Sequence, residues 1–129
     1  MDPVAKRPPQ NLEAESCVLG AILLDNDVVG LVAELLGPDD FYDRTNRVIY
    51  SVVKELFEAG LAVDAVTVKD RLAAKELLET IGGVEALIRI AESVPSAAHA
   101  IASAKIVRGH AMQRRLIALA DEPTRPAFA

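Results

Sequence analysis

The sequence predicts an all-α domain whose last helix is long enough to protrude from the rest. Three observations carry that expectation. Of the 129 residues, 51% are apolar, yet only 4% are aromatic and none is Trp. The core must therefore be Leu, Ile, Val and Ala, a composition that suits packed helices better than sheets. Apolar residues recur at helical spacing along most of the chain, without convincing strand-period alternation or internal repeat. Gly37–Pro38, Gly60, Gly82–Gly83 and Pro95 punctuate the periodic stretches as breakers do. A chain of this length forms one domain around a single core.

The first helix is expected after Pro8–Pro9, with Asn11 as N-cap. Glu13 and Glu15 fall in its first turn, where acids meet the positive end of the helix dipole. Ala14, Cys17, Val18, Ala21 and Ile22 form its apolar stripe, widened by Leu19 and Leu23. Cys17 reads as a small buried filler, and Gly20 as a point of close helix contact. A second helix follows the capping candidates Asp25 and Asn26, with Val28, Leu31, Val32, Leu35 and Leu36 on one face. Gly37 is expected to supply its left-handed cap and Pro38 its stop.

The polar turn "DDFYDRTNR" carries two aromatics and leads into a third helix. That helix turns Val48, Ile49, Val52, Val53, Leu56 and Phe57 inward and ends at Gly60. Asp64 is spaced to cap a fourth helix over "AVTVKDRLAAK". After the Gly82–Gly83 break a fifth runs to the neighbourhood of Val94, where Pro95 stops it and Ser96 caps the next. From Ser96 to Glu122 Gly109 is the one breaker, so a helix of about 26 residues and roughly 39 Å is expected, part of it projecting. Along it Ala97, Ala100, Ile101, Ala104, Val107 and Ala111 form a strip of mostly small residues suited to close approach of a second helix.

Charge is segregated along the chain. The net value is −5, but residues 1–92 hold 17 acids against 9 bases, whereas 93–120 hold four bases (Lys105, Arg108, Arg114, Arg115) and no acid. Opposed patches of this kind suit self-assembly or an oppositely charged partner better than wholesale nucleic-acid binding. No segment approaches the roughly 20 apolar residues that a bilayer span requires. The start "MDPVAKRPPQ" lacks the apolar stretch of a secretion signal, and a lone Cys17 makes no internal disulfide. A soluble cytoplasmic protein is the expectation.

Chemistry is hard to place anywhere in the sequence. No G-x-x-x-x-G-K-[ST] string occurs, and Gly82–Gly83 runs into "VEALIR" without a Lys to reach a phosphate. His99 and His110 would share a helix face but stand about 16 Å apart, too far to bind one metal. "DND" at 25–27 has Leu36 where a calcium loop needs its closing glutamate. Asp39, Asp40 and Asp43 crowd one loop, where turn and capping duty outweighs cation binding. Arg114–Arg115 could meet phosphates, but no aromatic interleaves for base stacking. No catalytic, cofactor-binding or metal-binding residue is assigned.

Six motifs in order nonetheless carry an identity. "PPQNLEAESCVLGAILLD", "DDFYDRTNRVIY", "VDAVTV", "LLETIGG", "PSA" and "AKIVRGHAMQRRLI" together resemble the N-terminal domain of bacterial replicative DNA helicases of the DnaB type. The resemblance spans roughly residues 8 to 122. It departs from the family pattern at Ala62, where Pro is frequent, at Ala86, where a Tyr is common nearby, and at His99 and Ser103, where Asn and Tyr are usual.

The resemblance implies a compact multi-helix orthogonal bundle at 11–95, after a flexible segment at 1–10. A long helix at 96–122 would be the first half of a helical hairpin, and 123–129 a loose tail. It implies that the hairpin's second helix and the ATPase motor domain are absent from this chain. The parent protein would be a hexameric helicase that unwinds DNA 5′→3′ at the replication fork, using ATP and Mg2+ bound in the motor domain. Its N-terminal domains would form a collar, a trimer of dimers, that stabilises the ring and docks primase. A helicase loader is a further candidate partner, and DNA would be met mainly through the missing domain. The candidate oligomer or primase interface is Ala97, Ile101, Ala104, Lys105, Val107, Arg108, Ala111, Met112 and Arg115. Two other readings compete: the helicase-binding domain of a primase, which resembles this fold, and a nucleic-acid-binding domain using Lys105, Arg108, Arg114 and Arg115.

Overall fold

The computed structural model describes residues 7–94 and 96–121, all helices, turns and loops with no strand among them. Six α-helices follow in order: α1 (Leu12–Leu24), α2 (Val28–Leu35), α3 (Arg44–Glu58), α4 (Ala65–Ala74), α5 (Val84–Glu92) and α6 (Ala100–Asp121). Single 3-10 turns at Pro38–Asp40 and Ala97–His99 precede α3 and α6. The all-α expectation holds.

Helix α1 lies at the centre and packs against α2, α3, α5 and α6. Val18, Leu19, Ala21 and Ile22 are fully buried there, beside Val32, Ile49, Tyr50, Val68 and Leu72 from the surrounding helices. A close approach occurs at Gly20. An added Cβ would sit 2.5 Å from the Ile90 carbonyl oxygen and closer still to a Val94 methyl, so the end of α5 rests on bare α1 backbone. Cys17 is half-buried at the edge of this core and not enclosed within it.

Capping follows the local chemistry in most places. Asn11 Oδ1 accepts from the Ala14 N–H at 2.9 Å, Asp43 caps α3 through the Asn46 N–H at 3.0 Å, and Ser96 accepts from the Ala98 N–H at 3.2 Å. Asp64 and Thr67 bond reciprocally, closing the start of α4. Gly60, Gly82 and Gly83 take φ of +76°, +99° and +79°, the region that favours glycine.

Four local expectations need correction. Asp27, without a side-chain bond, is the N-cap of α2, while Asn26 Oδ1 accepts from the distant Val63 N–H at 2.7 Å. Asn26 thus ties the α1–α2 corner to the link before α4. Gly37 has φ −105°, so α2 ends by extension through Leu36 and not by a left-handed cap. Leu31 is 55% exposed and Phe57 41%; Val29 and Tyr50 take the interior places instead. The final helix opens with the 3-10 turn and becomes α-helical only at Ala100, while Glu122 and the tail at 123–129 lie outside the described residues.

Candidate interaction surface

The 40–43 turn is a polar hub that joins three helices. Glu15, expected merely to favour the helix dipole, is 1% exposed and reaches from α1 into this turn. Its carboxylate accepts from the Tyr42 N–H at 2.7 Å, the Asp43 N–H at 3.2 Å and the Asn46 side-chain amide at 3.0 Å. A buried carboxylate survives when its oxygens are filled in this way. Asp40, also buried, accepts from the Gly37 N–H at 2.8 Å through one oxygen and pairs with Arg115 through the other. Below them the Tyr50 hydroxyl donates to the Leu36 carbonyl at 2.9 Å, and its ring lies 4.8 Å from that of Phe41. Burial, reinforced by the Asp40 charge, pushes the Tyr50 hydroxyl pKa up and keeps it a donor.

Helix α6 is anchored to this hub by its arginines. Arg114 donates to the carbonyls of Pro9 at 2.8 Å and Asp40 at 2.7 Å, and its guanidinium lies 5.4 Å from the Tyr42 ring centre. Burial draws the Arg114 pKa down, with the Glu15 charge opposing that shift. Arg108 donates to the Leu35 carbonyl at 2.8 Å, covering the last turn of α2. Three of the four bases grouped in the sequence as a candidate phosphate-binding set therefore hold the domain together. Only Lys105 of that set stands exposed outside these contacts.

The nine candidate interface residues divide accordingly. Ala104, Val107 and Ala111 are buried, with Ala100, against the body of their own chain, chiefly α1. Ala97 and Ile101 pack partly against the same core. The small-residue strip thus provides a close helix approach, and the helix it meets is intramolecular. Lys105 and Met112 face outward, whereas Arg108 and Arg115, though exposed, are tied to Leu35 and Asp40 of the same chain. Sequence reasoning passed over the neighbours that share their exposure: Leu116 at 65%, Ile117 at 46% and Leu119 at 68%, all beyond Ala111. Helical spacing places Met112, Leu116 and Leu119 on one stripe. A window carried to the end of α6 would have found it.

No group of three or more metal-ligating side chains occurs among the described residues, and no described helix is long and apolar enough to cross a membrane. What the geometry offers is a body, an anchored helix and an apolar stripe on that helix's outer turns. The model of the DnaB-like helicase N terminal domain matches residues 7–109. The chain belongs to that family. Within it, the chain is similar to the replicative DNA helicase DnaC of Bacillus subtilis (strain 168), 48% identical over 110 residues that make up 85% of this chain and 24% of that protein. It is 44% identical to the replicative DNA helicase DnaB of Geobacillus stearothermophilus over the same shares of each. The chain thus spans about a quarter of the length of these curated relatives.

Among solved structures, the N-terminal domain of DnaB helicase from Mycobacterium tuberculosis superposes with a TM-score of 0.83 at 41% identity, covering 86% of this chain and 77% of that one. The N-terminal domain of DnaB helicase from Helicobacter pylori, described with its interactions with primase, shares the fold at a TM-score of 0.67 and 23% identity over 94% of each chain.

Proposed function

We propose that this domain is the non-catalytic collar unit of a hexameric replicative helicase and that the outer turns of α6 join it to a second copy and to primase. The observation that carries the reading is the exposed stripe of Met112, Leu116 and Leu119 on the part of α6 beyond Ala111. A helix that leaves such a stripe in water gains by covering it with another helix. Family membership points to the assembly: a ring in which paired collar domains support a motor that unwinds DNA 5′→3′. The motor, with its ATP and Mg2+, belongs to the length of the relatives that this chain does not span. The relatives are helicases, which favours a helicase collar over the helicase-binding domain of a primase. A helicase loader is a further partner on the same grounds, and the setting is the bacterial cytoplasm.

The test is a triple substitution, Met112→Ser, Leu116→Ser and Leu119→Ser. Self-association in sedimentation velocity and retention of primase in a pull-down should both fall, with thermal stability held near wild type because these side chains are exposed. Unchanged self-association and unchanged primase retention together would refute the assignment of this surface.

A further inference from the structure

A second face of the molecule, lined by no residue of α6, has the features of a docking site. Helices α2 and α3 flank an open groove of about 610 Å³. Its floor is apolar: Leu31 is 55% exposed and Phe57 41%. Gly30 lies beside the Phe57 ring, where an added Cβ would stand 3.5 Å from the ring tip, an ordinary contact distance that places α2 directly against that ring. Large apolar side chains on two adjacent helices, facing one concavity, are the pattern that a partner's side chains fill.

The rim is acidic. Asp27, Glu34 and Glu58 line the groove against one base, Lys54, and among the described residues no ion pair engages any of those three acids. We infer that the α2–α3 groove binds an amphipathic helix of a different protein, one that sets two or three apolar anchors between flanking Lys and Arg residues. The walls are helices whose backbone groups are bonded internally, so no strand edge is offered and a helix-in-groove mode is the one that fits. Charge selects the partner. A second copy of this chain is a poor occupant, since on its basic helix Arg108, Arg114 and Arg115 are engaged with its own body and Lys105 alone is left to meet three acids. A helix with free cations satisfies the acidic rim and gains speed of encounter from it.

The test uses the 129-residue chain and a synthetic helical peptide of about five turns, with Leu at i, i+4 and i+7 and Lys on both flanks. A matched peptide carries Glu for every Lys. Fluorescence anisotropy should give binding of the Lys peptide, none of the Glu peptide, and a loss of at least about tenfold in affinity for the Glu34→Lys/Glu58→Lys variant. Phe57→Ala should lose affinity for the Lys peptide by a similar factor. Amide shifts in NMR titration should cluster in 27–34 and 54–58. The charge variant alters exposed positions, and its melting curve checks that it folds. Absence of binding into the millimolar range, equal affinity for both peptides, or equal affinity of wild type and the charge variant each overturns the inference. So do shifts confined to other surfaces. Loss of self-association in the charge variant overturns it as well, by making a second copy the occupant.

Discussion

Replacing Glu15 by Gln keeps the side chain's shape and removes one of its two acceptor oxygens. The carboxylate serves three donors: the Tyr42 N–H on Oε2 at 2.7 Å, and the Asp43 N–H and Asn46 amide on Oε1 at 3.2 and 3.0 Å. A glutamine has one carbonyl oxygen. If that oxygen stays with Asp43 and Asn46, its NH2 group points at the Tyr42 N–H, donor against donor, at a site only 1% exposed. Losing one hydrogen bond to a charged acceptor costs about 1.5–3 kcal/mol, and the stranded N–H adds about 1 kcal/mol or more. A loss of about 3 kcal/mol is therefore expected, and a larger one for Glu15→Ala, which strands all three donors. For a domain of this size that loss lowers Tm by about 10 °C. Urea titration is the assay: the midpoint should fall while the slope stays that of wild type, reporting a stability change without a change in the surface exposed on unfolding. A Glu15→Gln variant within about 0.5 kcal/mol of wild type would refute the hub, because a side chain away from such a network commonly gives no more than that.

Two further predictions concern packing and surface charge. Gly20→Ala should gain about 1 kcal/mol of helix propensity yet lose more than that, since its Cβ meets the Ile90 carbonyl and a Val94 methyl and overpacking costs about 1–3 kcal/mol. Thermal melts that place the alanine variant at or above wild type would show that α5 yields freely. Glu55 pairs with Arg71 and Lys75, and hydrogen bonds from Lys75 and Arg71 hold its pKa below the ordinary carboxylate value. Its folded pKa being the lower, the pair stabilises the fold above the unfolded carboxylate's pKa and ceases to as pH falls through the folded one. Glu55→Gln should thus flatten the acid side of the stability profile slightly, and added salt should erase the difference because the pair is solvent-exposed. A profile of unchanged slope at low salt would remove Glu55 from the account.

The sequence alone determined the helices and most of their ends, because those depend on interactions within a few residues. Helical spacing of Leu, Ile, Val and Ala marks α1 to α6. Asn11 and Asp64 cap the N–H groups three residues ahead, and positive φ at Gly60, Gly82 and Gly83 accounts for breaks visible as letters. Gly20, too, was legible as a glycine inside the apolar run of a helix, where a close contact accounts for its presence. Family identity rested on the order of six motifs, which needs no coordinates.

Only the tertiary structure decided which polar residues matter. Glu15 meets residues 42–46, Asn26 meets Val63, and Arg114 reaches back to Pro9, separations at which no local periodicity leaves a trace. The strip Ala100, Ala104, Val107 and Ala111 could be read in sequence as a close-approach face, but which helix approaches is a question of topology. Its answer, the chain's own α1, moves the free surface to Met112, Leu116 and Leu119. The same holds for Leu31 and Phe57, apolar residues that local periodicity turns inward and the packing of α2 on α3 leaves at the surface. Spacing tells a helix which face is apolar; only the neighbours available in three dimensions settle how much of that face is covered.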